Sequence, residues 1–129
     1  MTVQSYEDLK AWQKAIELVA AIYTATASFP EAEIFGIISQ MRRAAASVPS
    51  NIAEGQGRLT TGEFRHFVGI ARGSLQELET QVHLARRLGY LQEASFRELL
   101  RNTKEVIRIV NGLLNSLDEK VRQSRASRY

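Results

Sequence analysis

The chain contains no cysteine, which excludes a thiol nucleophile, a thiolate-ligated metal centre and a disulfide framework. Two prolines in 129 residues leave long stretches free to run as uninterrupted helix. Aromatic residues make up 8% of the chain, and most fall at positions that read as core, leaving few rings to stack on bases. No apolar run approaches the roughly 20 residues that cross a bilayer, so no membrane association is expected. Met1 to Leu9 carries Glu7 and Asp8 in place of a basic leader and apolar core. No signal peptide and a cytoplasmic location are therefore expected.

What is present is charge of both signs on an ordinary globular background. Lys and Arg number 17 against 14 Asp and Glu, a formal net charge of +3, and hydrophobic residues make up 44%. A single compact domain over residues 1–129 follows, long enough to bury roughly two-thirds of its unfolded surface.

Apolar residues recur at gaps of three and four in four segments, the period of an amphipathic helix. The first carries Leu9, Trp12, Ile16, Val19 and Tyr23, with Ser5 as N-cap and Ser28-Phe29-Pro30 as terminator. The second carries Ile34, Ile38, Met41, Ala45, Val48 and Ile52, and closes at Gly55-Gln56-Gly57, where a left-handed cap is expected. The third opens on Thr60 and Glu63, spaced as a capping box, and repeats Phe64, Val68, Ala71, Leu75, Leu78, Val82 and Ala85 before Gly89. The fourth carries Phe96, Leu99, Thr103, Val106, Val110, Leu113 and Leu117, flanked by Leu100, Ile107, Leu114 and Val121.

No segment alternates as a strand does, and the connections are short. The predicted fold is all-α: an antiparallel up-down-up-down four-helix bundle. Its helices cover about 6–28, 34–54, 61–88 and 93–121, with 122–129 a flexible basic tail that includes Arg122, Arg125 and Arg128.

Enzymatic chemistry finds little support. Glu63 and His66 have the spacing of a Glu-x-x-His metal motif, but no second copy occurs, and no metal site is expected. His66 and His83 are 17 positions apart and point to different helix faces. The carboxylate pairs Glu31 with Glu33, Glu77 with Glu79, and Asp118 with Glu119 fall at helix starts or on outer faces, where capping and charge pairing explain them. No phosphate loop, nucleophile elbow or dinucleotide fingerprint is present. Neither catalytic residues nor a cofactor are expected.

Arg97, Arg101, Lys104 and Arg108 recur at spacings of four, three and four on the side of the fourth helix away from its apolar stripe. They form a basic ridge about 16 Å long, enough to meet several phosphates. The competing explanation is a solvated face laced by Glu93, Glu98 and Glu105. Arg65, Arg72 and Arg86 on the third helix, beside Arg42 and Arg43 on the second, would extend the patch.

Gly69 and Gly73 sit in mid-helix, each costing about 1 kcal/mol of helix propensity relative to Ala. Both project outside the core stripe, where small residues let another backbone approach, and Phe67 and Ile70 flank them. These four are candidates for a homo-oligomer interface. Pro49 falls inside the second helical pattern, where it removes the bond to the Ala45 carbonyl and should bend the helix. Ser47, Ser50 and Asn51 are placed to satisfy freed groups or pair with a neighbour.

The run Gln40-Met41-Arg42-Arg43-Ala44-Ala45-Ala46-Ser47-Val48-Pro49-Ser50-Asn51-Ile52-Ala53-Glu54-Gly55, then Gly57-Arg58, and the later run Ala71 to Glu79, resemble the four-helix-bundle family of 23S rRNA-intervening-sequence proteins. The opening Leu9 to Ala15 resembles its first helix. The resemblance implies a bacterial cytoplasmic protein, an antiparallel bundle and a homopentameric ring. Related accessory proteins of diversity-generating retroelements bind a reverse transcriptase and nucleic acid. The family offers no catalytic residues, so Arg43, Ser47, Pro49, Asn51, Glu54 and Gly55 stand as motif positions serving fold, interface or binding. The function expected is a non-enzymatic homo-oligomer that binds structured RNA through phosphate contacts, and the alternative is a protein-interaction adaptor, for example for a reverse transcriptase.

Overall fold

A computed structural model describes residues 5–127; Met1 to Gln4, and the tail positions Arg128 and Tyr129, lie outside the described residues. Four helices account for most of the described chain: α1 Lys10–Thr26, α2 Ile37–Gln56, α3 Thr61–Arg87 and α4 Glu93–Ala126. Each packs on two others. α1 and α3 both have α2 and α4 as backbone neighbours, whereas no Cα of α1 comes within 8 Å of one in α3, nor one of α2 within 8 Å of one in α4. The four therefore occupy the corners of a square, with α1 and α3 on one diagonal.

Two bonds between α3 and α4 show that this pair runs antiparallel. Arg65 pairs with Asp118 and Arg86 with Glu93 across α3 and α4. The core between the helices holds Ile22, Met41, Val48, Ile52, Val68, Leu75, Leu78, Val82 and Val110, all fully buried. No helix among the described residues is long and apolar enough to cross a membrane.

Several boundaries differ from the sequence reading. Ser5 does cap, but it caps a 3-10 turn, Tyr6–Asp8. It accepts the Glu7 N–H at 3.1 Å while its own N–H donates to Asp8 Oδ2 at 3.3 Å. Extended backbone at Leu9 then breaks the chain before α1. Ile34 is not the start of α2, because the 3-10 turn Glu31–Glu33 and the bend through Gly36 precede it. Ile34 and Phe35 are left 52% and 93% exposed.

Gly57 ends α2 in right-handed geometry, φ −78°, rather than in the left-handed cap expected there. That device appears after α3, where Gly89 has φ +82°. Its N–H reaches the Arg86 carbonyl at 3.0 Å and the Tyr90 N–H reaches the Ala85 carbonyl at 2.9 Å, the paired bonds of a Schellman motif. Residues 122–126, expected as tail, continue α4, with Arg122 and Gln123 bonded back to Glu119 at 2.6 and 3.5 Å. Pairs one turn apart support these polar last turns without an apolar face.

The buried face of α1 is also rotated from the expected stripe. Ala11, Ala15, Leu18, Ile22 and Thr26 face the core, while Ile16 and Tyr23 are 42% and 46% exposed. The inward face pairs the small Ala11 and Ala15 with Leu18 and Ile22, and Ile16 and Tyr23 are left at the rim. Arg42 locks this packing, with its guanidinium 4.5 Å over the Tyr23 ring and its Nε 2.9 Å from Thr26 Oγ1. α2 runs through the buried Pro49 as one helix.

Candidate nucleic-acid interface

The ridge residues Arg97, Arg101, Lys104 and Arg108 are all exposed, on the opposite side of α4 from the buried Leu99, Thr103, Val106 and Val110. The acidic residues nearby neutralise only one of them. Arg97 pairs with Glu93 at 2.8 Å, whereas Glu105 turns across to Lys14 of α1 at 3.9 Å and Glu98 makes no ion pair among the described residues. Arg101, Lys104 and Arg108 have no ion-pair partner among the described residues. They border a shallow groove whose lining also includes Arg97, Leu100 and the acidic Glu105. Three unneutralised cations on consecutive turns form a strip of positive potential that points straight into solvent.

Arg65 does not extend this strip, because its Nε donates to Asp118 at 2.8 Å and ties α3 to α4. Arg72 is exposed and has no ion-pair partner among the described residues. The register set by Arg65–Asp118 and Arg86–Glu93 places it level with Arg108. Arg122 is paired with Glu119 and Arg125 is not paired among the described residues.

The two carboxylates in these ties are held below their ordinary range. The Arg86 guanidinium, and then that of Arg97, lowers Glu93, while the Arg65 hydrogen bond lowers Asp118. A carboxylate depressed in the folded state contributes stability that is complete above its unfolded value and is lost as pH falls through the folded value. Asp118→Asn should therefore lower Tm slightly at neutral pH. Thermal melts of both proteins should converge in acid below the usual carboxylate range, and a gap that persists there would mean the substitution acts through packing.

The interface candidates separate. A Cβ on Gly73 would meet nothing within 4 Å and one on Gly69 only the Arg65 Nη1, so both glycines face outward, and Ile70 beside them is 41% exposed. Phe67 does not belong with them. It is half-buried in the contact between α2 and α3, with its Cβ against Gly55 and the Arg58 guanidinium 4.7 Å over its ring.

The α2 motif positions are mostly bonded locally. Ser47 Oγ lies 2.9 Å from Ser74 Oγ on α3, and Asn51 Nδ2 donates to the Ser47 carbonyl and hydroxyl at 2.8 and 2.9 Å. Glu54 pairs with Arg58 at 2.7 Å, and Arg43 is exposed. His66 and His83 lie edge-on to Phe67 and Phe96, each at 5.5 Å. No group of three or more His, Asp or Glu side chains among the described residues is arranged to hold a metal ion.

Sequence reasoning missed one polar contact and one buried polar atom. One is the Arg42 clamp on α1. The other is Gln81, 7% exposed in α3, whose Oε1 has no hydrogen-bond partner among the described residues. Its helical position beside Val82 carries no signal that a neighbouring helix covers it.

The model of the 23S rRNA-intervening sequence protein family matches residues 7–112. The chain belongs to that family. The matched span takes in the α2 motif, the outward glycines of α3 and the whole ridge, and it leaves the last turns of α4 outside. The fold is similar to the crystal structure of a protein of unknown function from the S23 ribosomal protein family of Bacteroides thetaiotaomicron. That match has a TM-score of 0.73 at 20% identity, covering 81% of this chain and 97% of the other. At that identity the likeness shows the fold alone. No curated protein matches the chain.

Proposed function

We propose that this family member is a non-enzymatic, cytoplasmic, self-associating helical bundle that binds the phosphate backbone of structured RNA along α4. The observation that carries this reading is the set of three cations, Arg101, Lys104 and Arg108, that have no ion-pair partner among the described residues and lie on the face of α4 opposite its core. Repetition of the strip in a homo-oligomer, a pentamer by the family resemblance, multiplies a modest charge per chain into a strong field. Binding is mainly to phosphates, because α4 carries one aromatic residue, Phe96, which is half-buried and already in ring contact with His83, so few rings are on hand to stack on bases.

The test is a titration of a structured RNA with purified protein at several salt concentrations. Affinity that falls steeply with salt supports the reading, because each phosphate contact releases counterions. Absence of binding at low salt overturns it.

A second reading, an adaptor for a protein partner such as a polymerase, is favoured by Phe35 and Leu59. These connecting-segment residues are 93% and 99% exposed and sit at opposite ends of the bundle, and exposed large apolar side chains are suited to anchor protein contacts. Salt-insensitive capture of a protein with no RNA affinity would favour this second reading.

A further inference from the structure

A groove runs between α1 and α4, and no cation of the basic ridge lines it. Its narrower part, about 100 Å³, lies between Lys14, Glu17 and Leu18 of α1 and Asn102 and Glu105 of α4. Its wider part, about 320 Å³, lies between Ala21 and Ala25 of α1 and Glu98, Leu99 and Asn102 of α4. Asn102 borders both parts, so the two form one trough. The small side chains of Ala21 and Ala25 leave it open, and the apolar part of its lining includes Leu18 and Leu99, both buried.

Its charge is opposite to that of the ridge. Three carboxylates, Glu17, Glu98 and Glu105, stand against one ammonium, that of Lys14. Lys14 lies 3.5 Å from Glu17 and 3.9 Å from Glu105, both longer than the roughly 2.7–2.9 Å of a charge-assisted hydrogen bond. Glu98 has no ion-pair partner among the described residues, and the half-buried Asn102 makes no side-chain hydrogen bond among them. The trough therefore offers acceptors that the chain itself leaves unused, above an apolar lining.

Glu98, Asn102 and Glu105 follow one another at spacings of four and three residues, which is about 6 Å and then about 4.5 Å along the helix axis. An extended chain gains about 1.2 Å per bond, as a polypeptide does. In spermidine the inner nitrogen is separated from its two end nitrogens by five bonds and four bonds, or about 6 Å and about 5 Å. Aliphatic amines, like that of lysine, are protonated at neutral pH, and their methylene chains cover apolar surface as a lysine stem does.

We propose that the groove between α1 and α4 is a binding site for a linear aliphatic polyamine of the spermidine type. The end ammonium groups donate to Glu98 and Glu105, the inner one donates to the Asn102 side-chain carbonyl, and the methylenes lie along the apolar lining. The site does not depend on RNA binding at the ridge.

The experiment is calorimetric titration of the full chain with spermidine at neutral pH and low salt, in the absence of RNA, with putrescine and magnesium chloride as comparison ligands. Wild type should take one spermidine per chain. Putrescine spans Glu98 and Asn102 but not Glu105, so it should bind about fivefold more weakly, the effect of one exposed ion pair. Glu98→Gln should cost about the same factor, and Ala21→Leu, which fills the wider part of the groove, should cost more. Lys14→Gln removes the competing ammonium and should tighten binding, whereas Lys104→Gln removes the same charge outside the groove and should leave it unchanged. Circular dichroism checks that each variant is as helical as wild type. Glu98 makes no ion pair among the described residues, so its variant keeps the fold and the test intact.

No spermidine binding by wild type overturns the proposal. So does an affinity that Glu98→Gln leaves unchanged, that Lys14→Gln and Lys104→Gln alter equally, or that putrescine or magnesium matches, since each of these is the behaviour of a diffuse counter-ion.

Discussion

If the proposed RNA-binding reading holds, replacing Arg101, Lys104 and Arg108 together by Gln should lower affinity for a structured RNA by about 100- to 1000-fold at about 0.1 M salt, and reduce the salt slope by about two to three. Each phosphate contact contributes roughly 0.7 to 0.9 to the logarithmic salt dependence, which at that concentration is worth close to tenfold in affinity. The side chains are exposed and unpaired among the described residues, so their loss removes no bond within the bundle and Tm should hold. Arg65→Gln is the informative contrast. Its guanidinium is tied to Asp118, so it should lower Tm slightly and leave the salt slope unchanged. The measurement is fluorescence anisotropy of a labelled hairpin at several salt concentrations. An unchanged slope in the triple variant would remove the ridge from the RNA-binding surface.

The ridge was legible in the sequence because helical periodicity alone places residues at spacings of three and four on one face. Whether its charges were free was not legible, since Glu98 and Glu105 are as close in sequence to the cations as Glu93 is. Their fates are set by neighbouring helices: Glu105 is drawn to Lys14 of α1, and Arg65 is drawn away from the ridge by Asp118 of α4.

The same limit explains the first helix. Trp12, Ile16, Val19 and Tyr23 form a sound apolar stripe, but so do Ala11, Ala15, Leu18 and Ile22. Which stripe turns inward depends on how closely α2 and α4 can approach, a property of the assembled bundle. Helices α3 and α4, with one wide apolar face and charged residues opposite, were placed nearly correctly. α2 shows the intermediate case, since its core positions were legible while Ile34 was counted into a helix that begins only after Gly36.

Gly55→Val should be among the most damaging single substitutions in the chain, although its position reads as a helix terminus. Gly55 lies inside α2 and is buried. A Cβ there would stand 2.8 Å from the Phe67 Cβ, 3.1 Å from the Phe64 carbonyl oxygen and 3.1 Å from Phe64 Cδ1. The first two of these atoms belong to or adjoin the α3 backbone, so no rotamer change relieves the overlap and the helices must separate.

Overpacking a close contact costs about 1–3 kcal/mol. For Gly55→Ala this is partly offset by about 1 kcal/mol of gained helix propensity. Val adds two further methyl groups and a weaker propensity, so a loss of about 3 kcal/mol and a fall in Tm of about 10 °C are expected. Gly112→Ala supplies the opposite sign, because a Cβ there meets nothing within 4 Å and the propensity gain of about 1 kcal/mol should raise Tm by about 3 °C.

Differential scanning calorimetry decides between two roles for this motif glycine. A large fall for Gly55→Val beside a rise for Gly112→Ala makes Gly55 a point of close packing between α2 and α3. An unchanged Tm with altered RNA affinity would instead put Gly55 and its neighbour Glu54 at the ligand surface.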